Sequence, residues 1–203
     1  MVAGAGMTFA VRTLFGAAQP EWEYLGYVGQ ITSSSIGAPL PVTASAGDLL
    51  VVVRGFGSGT SLGDKTDNIG SSARIVYKVC SGGETQYYSS GGSLVTSLMM
   101  FRPGGVAAKK YGLSQTTPST TTISTAPVGP GLYICALSED INGYVTSAPA
   151  PSGVIGSGYS YSGLGAAWVG YKLLDSGEVV GSAEVASTSP YTVTRAFGIF
   201  DFA

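Results

Sequence analysis

The segment YTVTRAFGIFDF, residues 191–202, alternates along its length. Tyr191, Val193, Arg195, Phe197 and Ile199 fall on one parity, and Thr192, Thr194, Ala196 and Gly198 on the other. A period of two is that of an extended strand with unlike faces, since successive side chains point to opposite sides. Comparable runs recur on either side of it: EYLGYVGQIT (23–32), DLLVVVRGF (48–56), ARIVYKVC (73–80), SLVTSLMMFR (93–102), GVAAKKYGL (105–113), GLYICALS (131–138) and GAAWVGYKLL (165–174). ETQYYSS (84–90), TTTISTA (120–126) and EVVGSAEVA (178–186) continue the pattern more weakly. Gly, Pro, Ser and Asn clusters separate the runs, and after residue 20 no helical apolar stripe is sustained. The chain therefore reads as all-β, a sandwich, jelly roll or barrel, and an antiparallel β-sandwich of jelly-roll-like type is the expectation.

Ser81-Gly82-Gly83 and Asp175-Ser176-Gly177 are hairpin-type connections, because Gly supplies the positive φ that tight turns need. They predict hairpins between 73–80 and 84–90, and between 165–174 and 178–186. Residues 57–72 and 139–164, rich in Gly, Ser and Pro, read as long loops. No exact internal repeat is visible, which argues against a repeat fibre. Residues 1–22 differ in kind and read as an N-terminal arm, with 23–203 as the sandwich. The arm is apolar through Val2, Met7, Phe9, Leu14 and Phe15, with a helical turn around FAVRTLF closed by Gly16 and Pro20. Arg12 interrupts it and no basic region precedes it, so it reads neither as a signal peptide nor as a membrane span. Cytoplasmic synthesis without Sec export is the expectation.

Composition narrows the function. Charged residues make up 11% of the 203, against roughly 25% in an ordinary soluble domain. Gly numbers 31, yet 44% of residues are hydrophobic, so the chain has a core to bury and is not disordered. A surface this poor in charge suits contact with other protein, and closed self-association is expected. The alternative is a monomer solvated through Ser, Thr and Asn. Net charge is −2 and no basic cluster exceeds Lys109-Lys110, so nothing marks a nucleic-acid partner.

Histidine is absent, so a Ser-His-Asp or Cys-His site cannot be built, nor the usual zinc or iron site. Cys80 and Cys135 lie in apolar runs and read as buried reduced thiols, with a bridge left open if their strands are adjacent. GFGSG (55–59) lacks the Gly-Lys-Ser/Thr of a phosphate loop and reads as a turn. Two carboxylates suffice for glycoside hydrolysis, and Asp64, Asp67, Glu84, Glu139, Asp140, Asp175 and Glu178 are the candidates. Each falls where acidic residues normally form solvated turns. Asp64, Asp67 and Asn68, and likewise Glu139, Asp140 and Asn142, have calcium-ligand chemistry without EF-hand spacing, so no metal or cofactor is expected. Tyr144, Tyr159 and Tyr161 stand among Ser and Gly, a composition suited to adaptable binding and to stacking on sugar rings. Covering a sheet or a subunit contact would employ them equally well.

The succession GDLLVVV (47–53), ARIVYKVCSGGET (73–85), SLMMFRPGG (97–105), GLYICALS (131–138) and WVGYKLLDSGEVVGSAEV (168–185) resembles β-sandwich proteins of tailed-bacteriophage particles, among them tail-fibre, head-fibre and decoration components. The likeness covers residues 47–203 and rests on strand pattern. It implies a non-enzymatic virion structural protein that assembles through the arm with itself, as a homotrimer since fibre-like appendages are threefold, and with other virion proteins, and that exposes its loops for stabilisation or for contact with host-surface glycan. It carries no catalytic residues to transfer. A lectin-like carbohydrate-binding domain is the alternative, and a carboxylate-based glycan-cleaving enzyme stands behind it.

Overall fold

The computed structural model describes residues 21–31, 38–55, 67–69, 75–87, 95–118, 123–124, 131–140, 154–162, 165–175, 177–180, 182–183 and 192–202. Among these there is no helix. In chain order the strands are β1 (Trp22–Ile31), β2 (Ala38–Pro39), β3 (Leu49–Arg54), β4 (Asp67–Asn68), β5 (Ile75–Val79), β6 (Gln86–Tyr87) and β7 (Val95–Pro103). They continue as β8 (Ala107–Pro118), β9 (Ile123–Ser124), β10 (Gly131–Asp140), β11 (Ile155–Ser162), β12 (Gly165–Leu174), β13 (Ser182–Ala183) and β14 (Thr192–Phe202). All described ladders are antiparallel. One sheet has the order β1-β7-β3-β5-β4, the other β11-β12-β10-β14-β8, and the short pairs β2–β6 and β9–β13 stand apart. The all-β sandwich is thus as the alternation requires. Each half of the chain fills one sheet, so the described strands lack the repeated crossing between sheets that a jelly roll has.

The sheets face each other across one core. Leu49, Val51, Val53, Ile75, Met99 and Phe101 of the first meet Leu132, Ile134, Ala136, Val169, Tyr171 and Phe200 of the second. Rings carry much of the contact: Tyr77 meets Phe200 edge-on with centroids 4.9 Å apart, and Phe101 meets Tyr171 at 5.1 Å. Such pairs add roughly 0.5–1.5 kcal/mol each beyond the area they bury. At one end, here called the base, Trp22 stacks on Phe202 at 5.3 Å and ties the start of β1 to the end of β14.

The outer faces are apolar as well. Leu50, Val52, Val76, Cys80, Leu98 and Met100 point away from the core and are covered by Ala38, Leu40, Ala44 and Tyr87. On the second sheet Tyr133, Cys135, Leu137, Trp168, Leu174, Phe197 and Ile199 form the corresponding cluster. Here the alternation in 191–202 was legible but its orientation was not. Phe197 and Ile199 belong to the outer cluster, while Ala196 and Phe200 join the inter-sheet core. Gly198 faces inward because Ile69 of the first sheet sits against it: a Cβ there would lie 2.7 Å from the Ile69 Cγ2. Gly112, its partner across the ladder, would place a Cβ 1.6 Å from the Ile69 carbonyl oxygen. A facing pair of glycines is thus the seat for one buried isoleucine.

Both predicted hairpins are replaced by other pairings. β5 is flanked by β3 and β4, and β12 by β10 and β11, so neither has an edge left for the returning chain. The chain after β5 instead meets residues 38–44: β6 pairs with β2, and Leu40 and Ala44 donate N–H to the carbonyls of Thr85 and Glu84, both at 2.9 Å. Gly82 (φ +100°) and Gly83 (φ +86°) turn it that way. The expected loop 139–164 also changes. β10 runs on to Asp140, and Ile155–Ser162 is a strand on β12. In the expected loop 57–72, Asp67–Asn68 pair with β5.

The outermost strands of the described sheets are blunted. In β1, β8 and β11 the ladder skips one residue on the edge strand, Leu25, Lys110 and Gly156 respectively. β4, the fourth edge, is two residues long. Bulges and short strands are the usual means of preventing edge-to-edge pairing. YTVTRAFGIFDF and SLVTSLMMFR, with one basic residue apiece, are β14 and β7, interior strands paired on both sides. Their low charge reflects burial within the sandwich, so it is no argument for a trimer.

Substituting Gly112 by Ala forces the β4 and β8 backbones apart, because the atom it meets is a main-chain oxygen rather than the tip of a flexible side chain. Gly112→Ala is expected to cost about 1–3 kcal/mol or more, as overpacking does, read as a lower urea midpoint at unchanged slope.

Candidate functional site

The best-defined polar cluster lies at the base, where the chain entering β3, the turn after β5 and the end of β7 meet. Gly47 donates its N–H to the Cys80 carbonyl at 2.9 Å, and Cys80 donates its own to the Asp48 carbonyl at 2.8 Å. This fixes Asp48, 1% exposed, beneath the turn. Its carboxylate accepts from Arg102 Nε at 2.9 Å, Arg102 Nη2 at 3.0 Å and the Ser45 N–H at 2.8 Å. Arg102 also reaches Ser45 Oγ at 3.2 Å, with Glu23 at 3.9 Å on its open side. A bidentate guanidinium–carboxylate pair fixes direction as well as distance. Arg102 is held protonated more firmly than usual, first by this hydrogen bond and then by the charge of Asp48.

Glu84 closes the adjoining turn. It accepts the N–H of Ser81 at 2.8 Å and of Gly82 at 2.7 Å, and pairs with Lys78 at 3.2 Å. Partial burial opposes its charge. The N–H of Ser81, its own N–H, the Lys78 ammonium and the Gly82 N–H outweigh that and hold its carboxyl down to about 2. Glu178 does the same after β12, accepting the Asp175 N–H at 3.0 Å and pairing with Lys172. Lys110 pairs with Asp201 at the same end of the sandwich.

These contacts join segments that the sequence keeps far apart. Gly47-Asp48, Tyr77-Lys78-Val79 with Gly82-Gly83-Glu84, and Phe101-Arg102 are distant in sequence and form one corner. Asp48 and Glu84 each accept from backbone N–H and hold a cationic side chain, while Glu23 stays largely exposed. Asp48, Arg102 and Ser45 were missed as partners by sequence reasoning, since nothing in one chain signals which acid a given arginine will meet. The charge-reversed ends of GDLLVVV and MMFRP were the only hint.

The other candidates disperse. Tyr159 and Tyr161 are strand residues of β11, paired with Trp168 and Ala166 in β12. Tyr144 lies outside the described residues, as do Asp64, Asn142 and the arm residues Val2, Met7, Phe9, Leu14 and Phe15. The backbones of Glu139 and Asp140 end β10, and that of Asp67 begins β4. Glu84, Asp175 and Glu178 sit at turns. No three His, Cys, Asp or Glu side chains converge on a metal position among the described residues. Cys80 and Cys135 are free and buried in the two separate outer clusters, so they do not pair. Burial, then the Glu84 charge, pushes the Cys80 thiol up to about 11, and burial drives Cys135 higher still. A thiol so protonated at neutral pH is a poor nucleophile.

Two outcomes are expected from this corner. Asp48→Asn leaves the arginine unmatched against a buried amide and should cost about 2–4 kcal/mol, below the full figure for a buried pair because Arg102 is half-exposed; urea denaturation reads it. Glu84, depressed from an ordinary value near 4.5, contributes stability that is complete above that pH and lost as pH falls through about 2. Glu84→Gln should flatten that part of the stability–pH curve and leave the neutral-pH slope unchanged. Comparison of the chain with protein-family models, with curated proteins and with solved structures finds no match in any of the three.

Proposed function

We propose that the chain is a non-enzymatic structural component of a bacteriophage particle, attached through residues 1–22 and presenting loops for stabilisation or host-surface contact. The observation that carries this reading is the polarity of the sandwich. Trp22, through which the arm joins β1, lies at the base, stacked on Phe202 and beside the ion pairs of Asp48, Lys78 and Arg102. Arg54 and Asp140 end β3 and β10 at the opposite end. On this reading, attachment and presentation are separated by the length of the strands. The resemblance carried by residues 47–53, 73–85, 97–105, 131–138 and 168–185 supports the same reading.

With its long strand edges bulged, the sandwich offers other copies little to pair with, so assembly, including the proposed homotrimer, falls to the arm and loops. Among the described residues no helix is long and apolar enough to cross a membrane.

Deleting residues 1–19 is expected to leave the β-type circular dichroism and unfolding midpoint nearly unchanged while abolishing assembly, read by light scattering and by co-sedimentation with particles. Each large apolar side chain of the arm that becomes buried on a neighbour contributes about 1.5–3 kcal/mol, so losing five removes the attachment outright. A truncated chain that joins particles as well as the full-length one overturns the reading.

A further inference from the structure

The strand order of the first sheet is β1-β7-β3-β5-β4, and that of the second, read from its other edge, is β8-β14-β10-β12-β11. Adding seven to every label of the first generates the second. The short pairs obey the same rule, β2–β6 becoming β9–β13. Every described ladder of one half therefore has its counterpart in the other.

The agreement reaches single residues. In the β1–β7 ladder Trp22, Tyr24 and Gly26 oppose Pro103, Phe101 and Met100, with Leu25 skipped. In β8–β14, Ala107, Lys109 and Tyr111 oppose Phe202, Phe200 and Ile199, with Lys110 skipped. The bulge thus falls at the same step beside the same phenylalanine. Leu49 lies between Phe101 and Val79, and Leu132 between Phe200 and Leu173. Carried one step further, backbone pairing alone makes Tyr77, opposite Val51, equivalent to Tyr171, opposite Ile134. That equivalence superimposes YKVCSGGE (77–84) on YKLLDSGE (171–178), in which Tyr, Lys, Gly and Glu recur in place. In both turns the lysine pairs with the glutamate and the glutamate accepts backbone N–H groups.

At the base, ring contacts between the halves are reciprocal, although β1 and β7 lie against β11 and β12 more extensively than β8 and β14 lie against β4 and β5. Tyr77 of the first meets Phe200 of the second at 4.9 Å and 72°, and Tyr171 of the second meets Phe101 of the first at 5.1 Å and 70°. Tyr24 stacks on Tyr171 at 4.8 Å, and its equivalent Lys109 stands over Tyr77 at 5.4 Å. Even exposure follows: Val79 is 42% exposed and Leu173 45%. Residue i touching j while the equivalent of j touches the equivalent of i is the mark of a twofold interface.

We infer that the chain is a tandem duplication of one seven-stranded unit, residues 22–103 and 107–202, and that the sandwich core is an interface between two such units about a pseudo-twofold axis. The partner that fits the inner face of either sheet is a second copy of that unit. Gly104, Gly105 and Val106, which join the two, are exposed. The covalent link supplies proximity, and the interface supplies the fit.

A protease recognition sequence placed between Gly104 and Gly105 of the full chain tests this. After cleavage of the folded protein, the halves are expected to co-elute with unchanged circular dichroism. Their unfolding midpoint should become dependent on protein concentration, because the reaction is now bimolecular. Halves that separate or precipitate at micromolar concentration overturn the inference. Should the insertion prevent folding, double-mutant cycles on Tyr77/Phe200 and Tyr171/Phe101 in the uncut chain decide it. Couplings agreeing within about a factor of two sustain the equivalence, and coupling at one pair alone overturns it.

Discussion

Leu49 through Arg54 in β3 are buried without a break, and neighbouring side chains in a strand point to opposite faces. That one strand therefore needs apolar cover on both sides. β10 imposes the same requirement, with Gly131 to Ser138 buried throughout. One side of each is met by the opposite sheet. The other is closed, on the first sheet, by Ala38, Leu40, Ala44 and Tyr87. The base corner follows from this need. A strap lying on an apolar face has few backbone partners of its own, and the hydrogen bonds of Leu40, Ala44, Gly47 and Gly83, with the Asp48–Arg102 pair, hold it down.

The scarcity of charge takes on a different meaning once the layers are known. A chain with apolar residues on four sheet faces has few positions left for ionisable groups, and those it has are concentrated where strands end. Asp48, Lys78, Glu84, Arg102, Lys110, Lys172, Glu178 and Asp201 all lie in base ion pairs. Low charge is then a consequence of double-sided burial before it is a sign of partners. Protection against unwanted pairing comes from bulges rather than from charge, although Lys109 and Lys110 on β8 combine both.

The same layering weighs on function. Residues whose types attracted chemical readings, such as Glu84, Glu178, Cys80 and Cys135, are engaged in closing turns or filling outer layers. On the proposed reading, the end of the sandwich at Trp22 serves attachment and the end at Arg54 and Asp140 serves presentation. A core made as an interface between two like units, as inferred above, would give such a scaffold stiffness without length.

The sequence by itself determined the class of structure, because period two in 191–202 and Val-rich runs such as DLLVVV cannot be satisfied by helices. It also determined that thiol chemistry would be muted, since Cys80 and Cys135 stand in apolar strands. It did not determine which edge each strand uses: SGGE and DSGE have hairpin chemistry, but the strands before them already have neighbours on both sides. Nor could it orient 191–202, because Phe197 and Ile199 are apolar enough for either face, and only the approach of Ile69 requires glycine at 112 and 198. The repeat stayed hidden for a related reason. A buried position needs volume rather than identity, so Val51 and Ile134, or Met100 and Ile199, serve alike. Only where geometry demands a specific group, in Tyr-Lys and Gly-Glu at 77–84 and 171–178, did the letters themselves persist. Tertiary structure decided the rest, since pairing between distant strands is chosen by the whole set of faces and edges at once.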